Sequence, residues 1–375
     1  MPVKGSVEPV AYTPRIVDAE LDELLAVLPA VSIDGPKAVG KTVTANRRAE
    51  TTFRLDEAGD REIIDADPTQ LETTAGTVLI DEWQRLPAVW DHVRRKVDDG
   101  AAPGRYLLTG SAAPAGAPVH SGAGRIVSVR MRPLTLAERQ IPTPTVSLTA
   151  MLSGDQPHIQ GNSKLTLTDY VREILASGFP GIRPLAVKGQ RAQLAGYLAR
   201  VVERDFSDQG LRIPVPGWRP SRSHVSRLGS APKHHLADPA LAASLLGVDA
   251  GALLKGENAR PAVPRDGTLL GALFESLVTL STRVYAQAAG AETRHLRTQN
   301  GDHEVDLILE RPDHKVVALE VKLAPTVDDH DVTHLLWLRE RLGEDLLDTA
   351  VITTGTRAYR RKDGIAVIPA ALLGP

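Results

Sequence analysis

Residues Gly35–Thr42 read GPKAVGKT, and they stand between the apolar run Ala30–Ile33 and a stretch of helical period that begins at Thr42. They fit G-x-x-x-x-G-K-[ST] letter for letter. Strand, glycine-rich turn and helix in this order make a phosphate site. The turn formed by Gly35, Pro36, Lys37, Ala38, Val39 and Gly40 wraps backbone N–H groups around an anion, and the following helix N-terminus favours negative charge. Lys41 then reaches the β- and γ-phosphates, and the Thr42 hydroxyl is placed to bind Mg²⁺. The ligands this predicts are ATP and Mg²⁺.

Working outward, TVLIDEWQ (Thr77–Gln84) reads as a buried strand ending in two acids. A carboxylate at that end, Asp81, can hold hydrated Mg²⁺, while Glu82 can orient and deprotonate an attacking water. A third strand, RYLLTGSA, ends in Thr109 and Ser111. Hydroxyls there would lie between the phosphate loop and the Asp81 strand and sense the γ-phosphate or the water. Arg125, in SGAGR, is expected to supply positive charge to the transferred phosphoryl group, in cis or across a subunit contact.

The surrounding pattern alternates strand and helix. Strands are expected at Ala30–Ile33, Thr52–Leu55, Thr77–Ile80, Arg105–Leu108 and Ile126–Met131, with helices at Leu21–Leu28, Thr42–Glu50 and Val89–Val97. That is the signature of a doubly wound α/β fold with a parallel sheet. The chain divides into a lead (1–20), a P-loop core (21–140), a linker and helical region (141–255) and a C-terminal α/β domain (256–375). A mobile loop is expected at Ala112–Gly124 and a linker at Ile141–Asn162. Helices are expected at Thr168–Ser177 and Gln190–Phe206.

Composition narrows the function classes. Apolar residues make up 42% and charged residues 24%, enough for large cores and against wholesale disorder. A formal charge of -2 excludes a uniformly basic nucleic-acid coat. The absence of cysteine excludes disulfides, thiolate zinc sites and cysteine nucleophiles. Aromatics at 4% argue against single-strand binding by rows of stacked rings. With no long apolar run and no signal-peptide core at the start, the protein reads as soluble and cytoplasmic, without a membrane partner. One local contrast stands out: Gly181–His235 carries ten Lys/Arg against three Asp/Glu, a solvated face or a phosphate-facing surface.

A second constellation lies near the C-terminus. Glu275 falls on an apolar helix (LLGALFESLVTL), Asp306 on a strand (EVDLIL), and Glu320 and Lys322 on the next strand (VVALEVKL). Residues i and i+2 of a strand face the same side. If the strands form a hairpin, Asp306 and Glu320 converge and share a Mg²⁺ through oxygen ligands, with Glu275 as an auxiliary ligand. Lys322 would then position or help deprotonate a water for attack on a phosphodiester. This is the D…ExK arrangement of the PD-(D/E)xK nuclease fold, and helix, three strands, helix, strand is its order. Cleavage and binding without chemistry both remain open.

The segments YTPR, GPKAVGKT, VLIDEWQRLP, YLLTGSA, the GR of Arg125 and RPLTLAE resemble the prokaryotic AAA-type ATPases that carry a C-terminal domain of unknown function with a nuclease-like fold. The resemblance resumes at ILASGFP, at YLARVVERDF and through the C-terminal domain. It implies the glutamate-bearing branch of P-loop NTPases, in which strands separate the phosphate-loop strand from the strand next to it in sequence, and ATP binding with Mg²⁺ and hydrolysis. Relatives place a winged-helix-like module where this chain has only Ser207–Ala231, rich in Pro, Gly, Ser and Arg, so that module is expected to be missing or reduced. The adjacent His234 and His235 make a poor metal pair, and His330 and His334 lack an evident third ligand. Two functions fit: an ATP-driven switch coupled to a nuclease-like effector on DNA, or a nucleotide-controlled regulator, such as an antitoxin or defence component, holding a protein partner or a second copy.

Overall fold

The computed structural model describes residues 12–110, 122–141, 143–204, 212–215, 217–218, 233–255, 268–298 and 302–375. Ser111, most of the loop 112–124 and most of Ser207–Ala231 lie outside them.

The first sheet has five parallel strands: β1 (Ala30–Asp34), β2 (Thr51–Arg54), β3 (Val78–Asp81), β4 (Tyr106–Gly110) and β5 (Val127–Arg130). Their order is β2-β3-β4-β1-β5, so β4 is inserted between β1 and β3. The alternation of side chains feeds two cores. Val31, Ile33, Leu79 and Leu107 face one, while Ala30, Val78, Ile80, Tyr106 and Leu108 face the other. Burial on both faces is why these strands read as unbroken apolar runs. Two helices between β2 and β3, Ala58–Ala66 and Gln70–Thr73, were not foreseen, because each buries only a single apolar side chain, Ile64 or Leu71.

The second sheet has eight strands. Glu292–Arg297, Glu304–Glu310 and Val316–Val321 run antiparallel in sequence, and Leu346–Thr353 and Ala366–Pro369 add in parallel. Arg357–Arg360, a strand the sequence reading lacked, extends that edge and pairs with Gly161–Asn162. The short strand Gly217–Trp218 closes the other edge.

The intervening region serves both halves. Ile141–Asn162, read as a linker, instead contributes to the second core: Leu148 and Met151 are fully buried in it, and Val146–Ser147 pairs with Leu373–Gly374. Helices Val187–Arg204 and Pro239–Leu246 cover the first sheet through Leu194, Leu198, Ala240 and Leu241. The long helix Thr268–Ala288 bridges the halves: Leu136 N–H donates to the Ser281 hydroxyl at 3.2 Å and Ala137 N–H to the Tyr285 hydroxyl at 3.1 Å. No helix among the described residues is long and apolar enough to cross a membrane.

Candidate nucleotide site and C-terminal acid cluster

The loop after β1 turns through Ala38 and Gly40, at φ of 64° and 103°, and delivers Lys41 to the first turn of helix Lys41–Asn46. Gly35 has no room for a side chain, since a Cβ would strike the Met131 carbonyl of the chain leaving β5. Lys41 is 6% exposed, and its ammonium donates to the carbonyls of Gly35 at 2.9 Å and Pro36 at 3.1 Å. Burial lowers its pKa, against the attraction of Glu82, Asp34 and Asp81.

The Thr42 hydroxyl donates to Asp81 Oδ1 at 2.9 Å, and the Thr109 hydroxyl donates to the same oxygen. The strand order brings them together: β4 carries Thr109 between β1 and β3, opposite Asp81 in register. All three donors are oxygens, the set a hard divalent cation takes. Glu82 follows at φ 55°, a left-handed conformation that turns the chain out of the strand, and the Gln84 amide donates to its carboxylate. Gly110 packs under this turn, where a Cβ would come within 2.7 Å of both Gln84 Oε1 and Trp83 Nε1.

Arg125 is not brought to this site within the chain. It precedes the start of β5, at the sheet edge opposite the P-loop, where it is exposed and ion-paired to Asp98 at 2.8 Å. The distance along the strand to the P-loop edge is on the order of 15 Å. The arginine β5 does deliver to that edge is Arg130, in register with Asp34 and close enough to oppose the charge on Lys41.

Two further elements escaped sequence reasoning. A cavity of about 600 Å³ lies beside the P-loop helix, lined by Tyr12, Gly40, Val43, Thr44, Pro180 and Leu185 among others. Arg15 is 7% exposed and donates to the Val39 carbonyl at 3.0 Å while ion-paired to Glu138 at 3.0 Å. Tyr12 and Arg15 both belong to YTPR, a segment noticed for its resemblance but given no role, because no spacing rule links it to a loop so far along the chain.

In the C-terminal half, the antiparallel register that sets Leu307 against Leu319 brings Asp306 beside Glu320. The second oxygen of Asp306 accepts from Val321 N–H at 2.9 Å. Burial, then the charge of Asp306, pushes Glu320 up to about 8. Lys322 Nζ stands 3.4 Å from Glu320. Glu275 joins the cluster through a residue not foreseen: Lys233 Nζ lies 2.6 Å from Glu275, 3.1 Å from Asp306 and 3.5 Å from Glu304. Burial alone would lower the Lys233 pKa, but Asp306 and Glu275 outweigh it and raise it. In the sequence Lys233 stands out only as part of the basic stretch Gly181–His235. Among the described residues no group of three His, Cys, Asp or Glu is arranged to hold a metal ion. The acids are arranged around an ammonium group.

The histidines pair differently from their sequence spacing. His334 Nδ1 lies 3.2 Å from His303 Nδ1, and His303 stacks on Trp337 at 4.0 Å. His235 Nδ1 contacts the Ser276 hydroxyl at 3.0 Å.

Comparison with known proteins finds matches to two parts of the chain. Uncharacterized proteins of Mycobacterium bovis and Mycobacterium tuberculosis are each 28% identical over 212 residues, covering 55% of this chain and 42% of the relative. The chain thus matches under half the length of these relatives. Residues 28–140 match the family described as an AAA domain, which points to a P-loop ATPase, and residues 270–373 match a domain of unknown function (DUF4143).

Proposed function

We propose that the protein binds and hydrolyses ATP with Mg²⁺ and couples this cycle to a nuclease-like C-terminal domain that acts on DNA. The convergence of Thr42 and Thr109 on one oxygen of Asp81, beside a buried Lys41, carries the first part. The base and ribose would occupy the cavity between Tyr12 and Val43, and the loop amides and Lys41 the phosphates. Thr42 and Asp81 would hold the Mg²⁺, which when bound neutralises charge between the β- and γ-phosphates. Glu82, released from Gln84, accepts a proton from water as the water oxygen bonds to the γ-phosphorus and the bond to the β-phosphate oxygen breaks. Thr109 reports on the γ-phosphate to the Asp81 strand.

For the C-terminal half, Asp306 beside Glu320, with Lys322 next to them, supports the D…ExK reading. A second reading has its own observation. Lys233 already pairs with Glu275 and Asp306, as suits a nucleotide-controlled regulator that binds a partner without cutting. The deciding assay is cleavage of plasmid and linear DNA with Mg²⁺ or Mn²⁺, with and without ATP, by wild type and Asp306→Ala. Cleavage lost in the variant supports the nuclease reading. No cleavage by folded, ATP-hydrolysing protein supports the regulator. Loss of ATP binding in Lys41→Ala is expected, and its persistence would overturn the nucleotide-site assignment.

A further inference from the structure

We propose that Lys233 is a built-in occupant of the C-terminal acid cluster, an ammonium held where a divalent cation would otherwise sit, so that this site is closed in cis until the strand Lys233–Leu236 withdraws. The inference rests on the cation-binding reading of Asp306 and Glu320 given above.

Three carboxylates from separate places approach one nitrogen: Glu275 from the long helix at 2.6 Å, Asp306 at 3.1 Å and Glu304 at 3.5 Å from their shared strand. The 3.1 Å separation from Asp306 suits an N–H···O hydrogen bond and, like the 3.5 Å one from Glu304, exceeds the roughly 2.0–2.6 Å at which carboxylates hold Mg²⁺ or Ca²⁺, while the 2.6 Å approach to Glu275 is a close ion pair. The same cluster contains an unsatisfied buried oxygen. Glu320 is 7% exposed, and its Oε2 has no hydrogen-bond donor among the described residues. A buried carboxylate oxygen left without a donor is costly, and the lysine reaches the neighbouring acids without satisfying it.

The strand that brings Lys233 is built to detach. Among the described residues it pairs only with Arg212–Val215, in a sheet of two strands separate from the eight-stranded one. A two-stranded ribbon is marginal by itself, so the Lys233 ion pairs, the His235–Ser276 contact and the packing of Leu236 help to hold it in place. The Lys233 side chain is 27% exposed, so solvent and ions reach its contacts from one side.

The test is Mn²⁺ titration of the full chain by calorimetry without nucleotide. An Asp81→Asn background silences the P-loop site, and the comparison is between chains with and without Lys233→Met. Removing the ammonium is expected to tighten Mn²⁺ binding on the order of tenfold, and adding Asp306→Asn should abolish the gain. Equal Mn²⁺ affinity with and without Lys233→Met would overturn the proposal while leaving the cation reading standing. No Mn²⁺ binding by a cooperatively melting Lys233→Met protein would overturn both. A second measurement uses the unaltered chain. Acetylation of Lys233 by acetic anhydride, read by peptide mass spectrometry, should accelerate when Mn²⁺ is added, and an unchanged rate would count against displacement.

Discussion

Arg15 holds Val39 from behind: its guanidinium donates to the Val39 carbonyl at 3.0 Å within the phosphate loop, and its Nε–H donates to Glu138 at 3.0 Å. The Glu138 carboxylate also accepts from the backbone N–H groups of Ile16 at 2.9 Å and Thr135 at 2.8 Å. Both side chains are 3% exposed, so neither charge has water to fall back on. Removing one partner of such a pair costs about 3–5 kcal/mol. Glu138→Ala should lower stability to urea by that order and weaken ATP binding, because the loop loses its backing. A variant of unchanged stability would show that the pair is replaceable.

Glu82→Gln should bind ATP as tightly as wild type yet turn it over on the order of 10²-fold more slowly, since an amide cannot take the proton. Gln84→Ala should act in the other direction by freeing Glu82, raising basal turnover. Filter binding and phosphate release measured on the same preparations separate the two effects. Equal turnover by wild type and Glu82→Gln would move the base to another residue.

Gly110→Ala tests the turn under Glu82. Its Cβ would sit 2.7 Å from Trp83 Nε1, held by the tilted Trp83–Trp90 pair at 4.5 Å, and 2.7 Å from Gln84 Oε1, whose amide donates to Glu82. Overpacking of this kind costs about 1–3 kcal/mol. A lowered melting temperature together with slower hydrolysis is expected, and a neutral effect on both would show that the turn has slack.

Stability should fall on mild acidification through His235. Burial first, then the charges of Lys233 and Arg283, lower its pKa from 6.5 to about 4. A depressed histidine contributes stability above its unfolded pKa and loses it as pH falls toward the folded one, because the unfolded chain takes up the proton first. The window is therefore pH 6.5 down to about 4. Between pH 7 and pH 5 the His235 share of the loss should be on the order of 1–2 kcal/mol, and the total loss should shrink by that amount in His235→Asn, the lowered His92 and His334 keeping their own shares. Denaturation curves at the two pH values decide it.

The P-loop, the Asp81 strand and the Thr109 strand were legible because each is a local pattern, an apolar run ending in polar residues of fixed chemistry. That the Thr109 strand lies between the other two was also expected, and β4 does lie there, but no local pattern gives the shared contact. Only the insertion of β4 between β1 and β3 lets Thr109 and Thr42 share an Asp81 oxygen, and apolar periodicity carries no strand order. Arg125 shows the same limit. Its nearness to β5 was readable, but which edge of the sheet it occupies depends on strand direction. Lys233 was invisible for a further reason: a lone lysine in a basic stretch looks solvated until the carboxylates it meets, Glu275 and Asp306, are known to converge. Ile141–Asn162 looked like a linker because its Gly, Pro and Ser residues mask the short segment around Leu148 and Met151 that the second core buries.

The weave of the middle region has a consequence for how the chain folds as it is made. Strands β1–β5 come from adjacent sequence and can pair early, yet one of their faces waits for Leu194, Leu198 and Leu241. Val146–Ser147 emerges before those helices but can settle only against Leu373–Gly374, synthesised far later. Each half is thus held incomplete by residues of the other's interval. Loop closure of that length slows assembly and leaves apolar surface uncovered until the last residues are made.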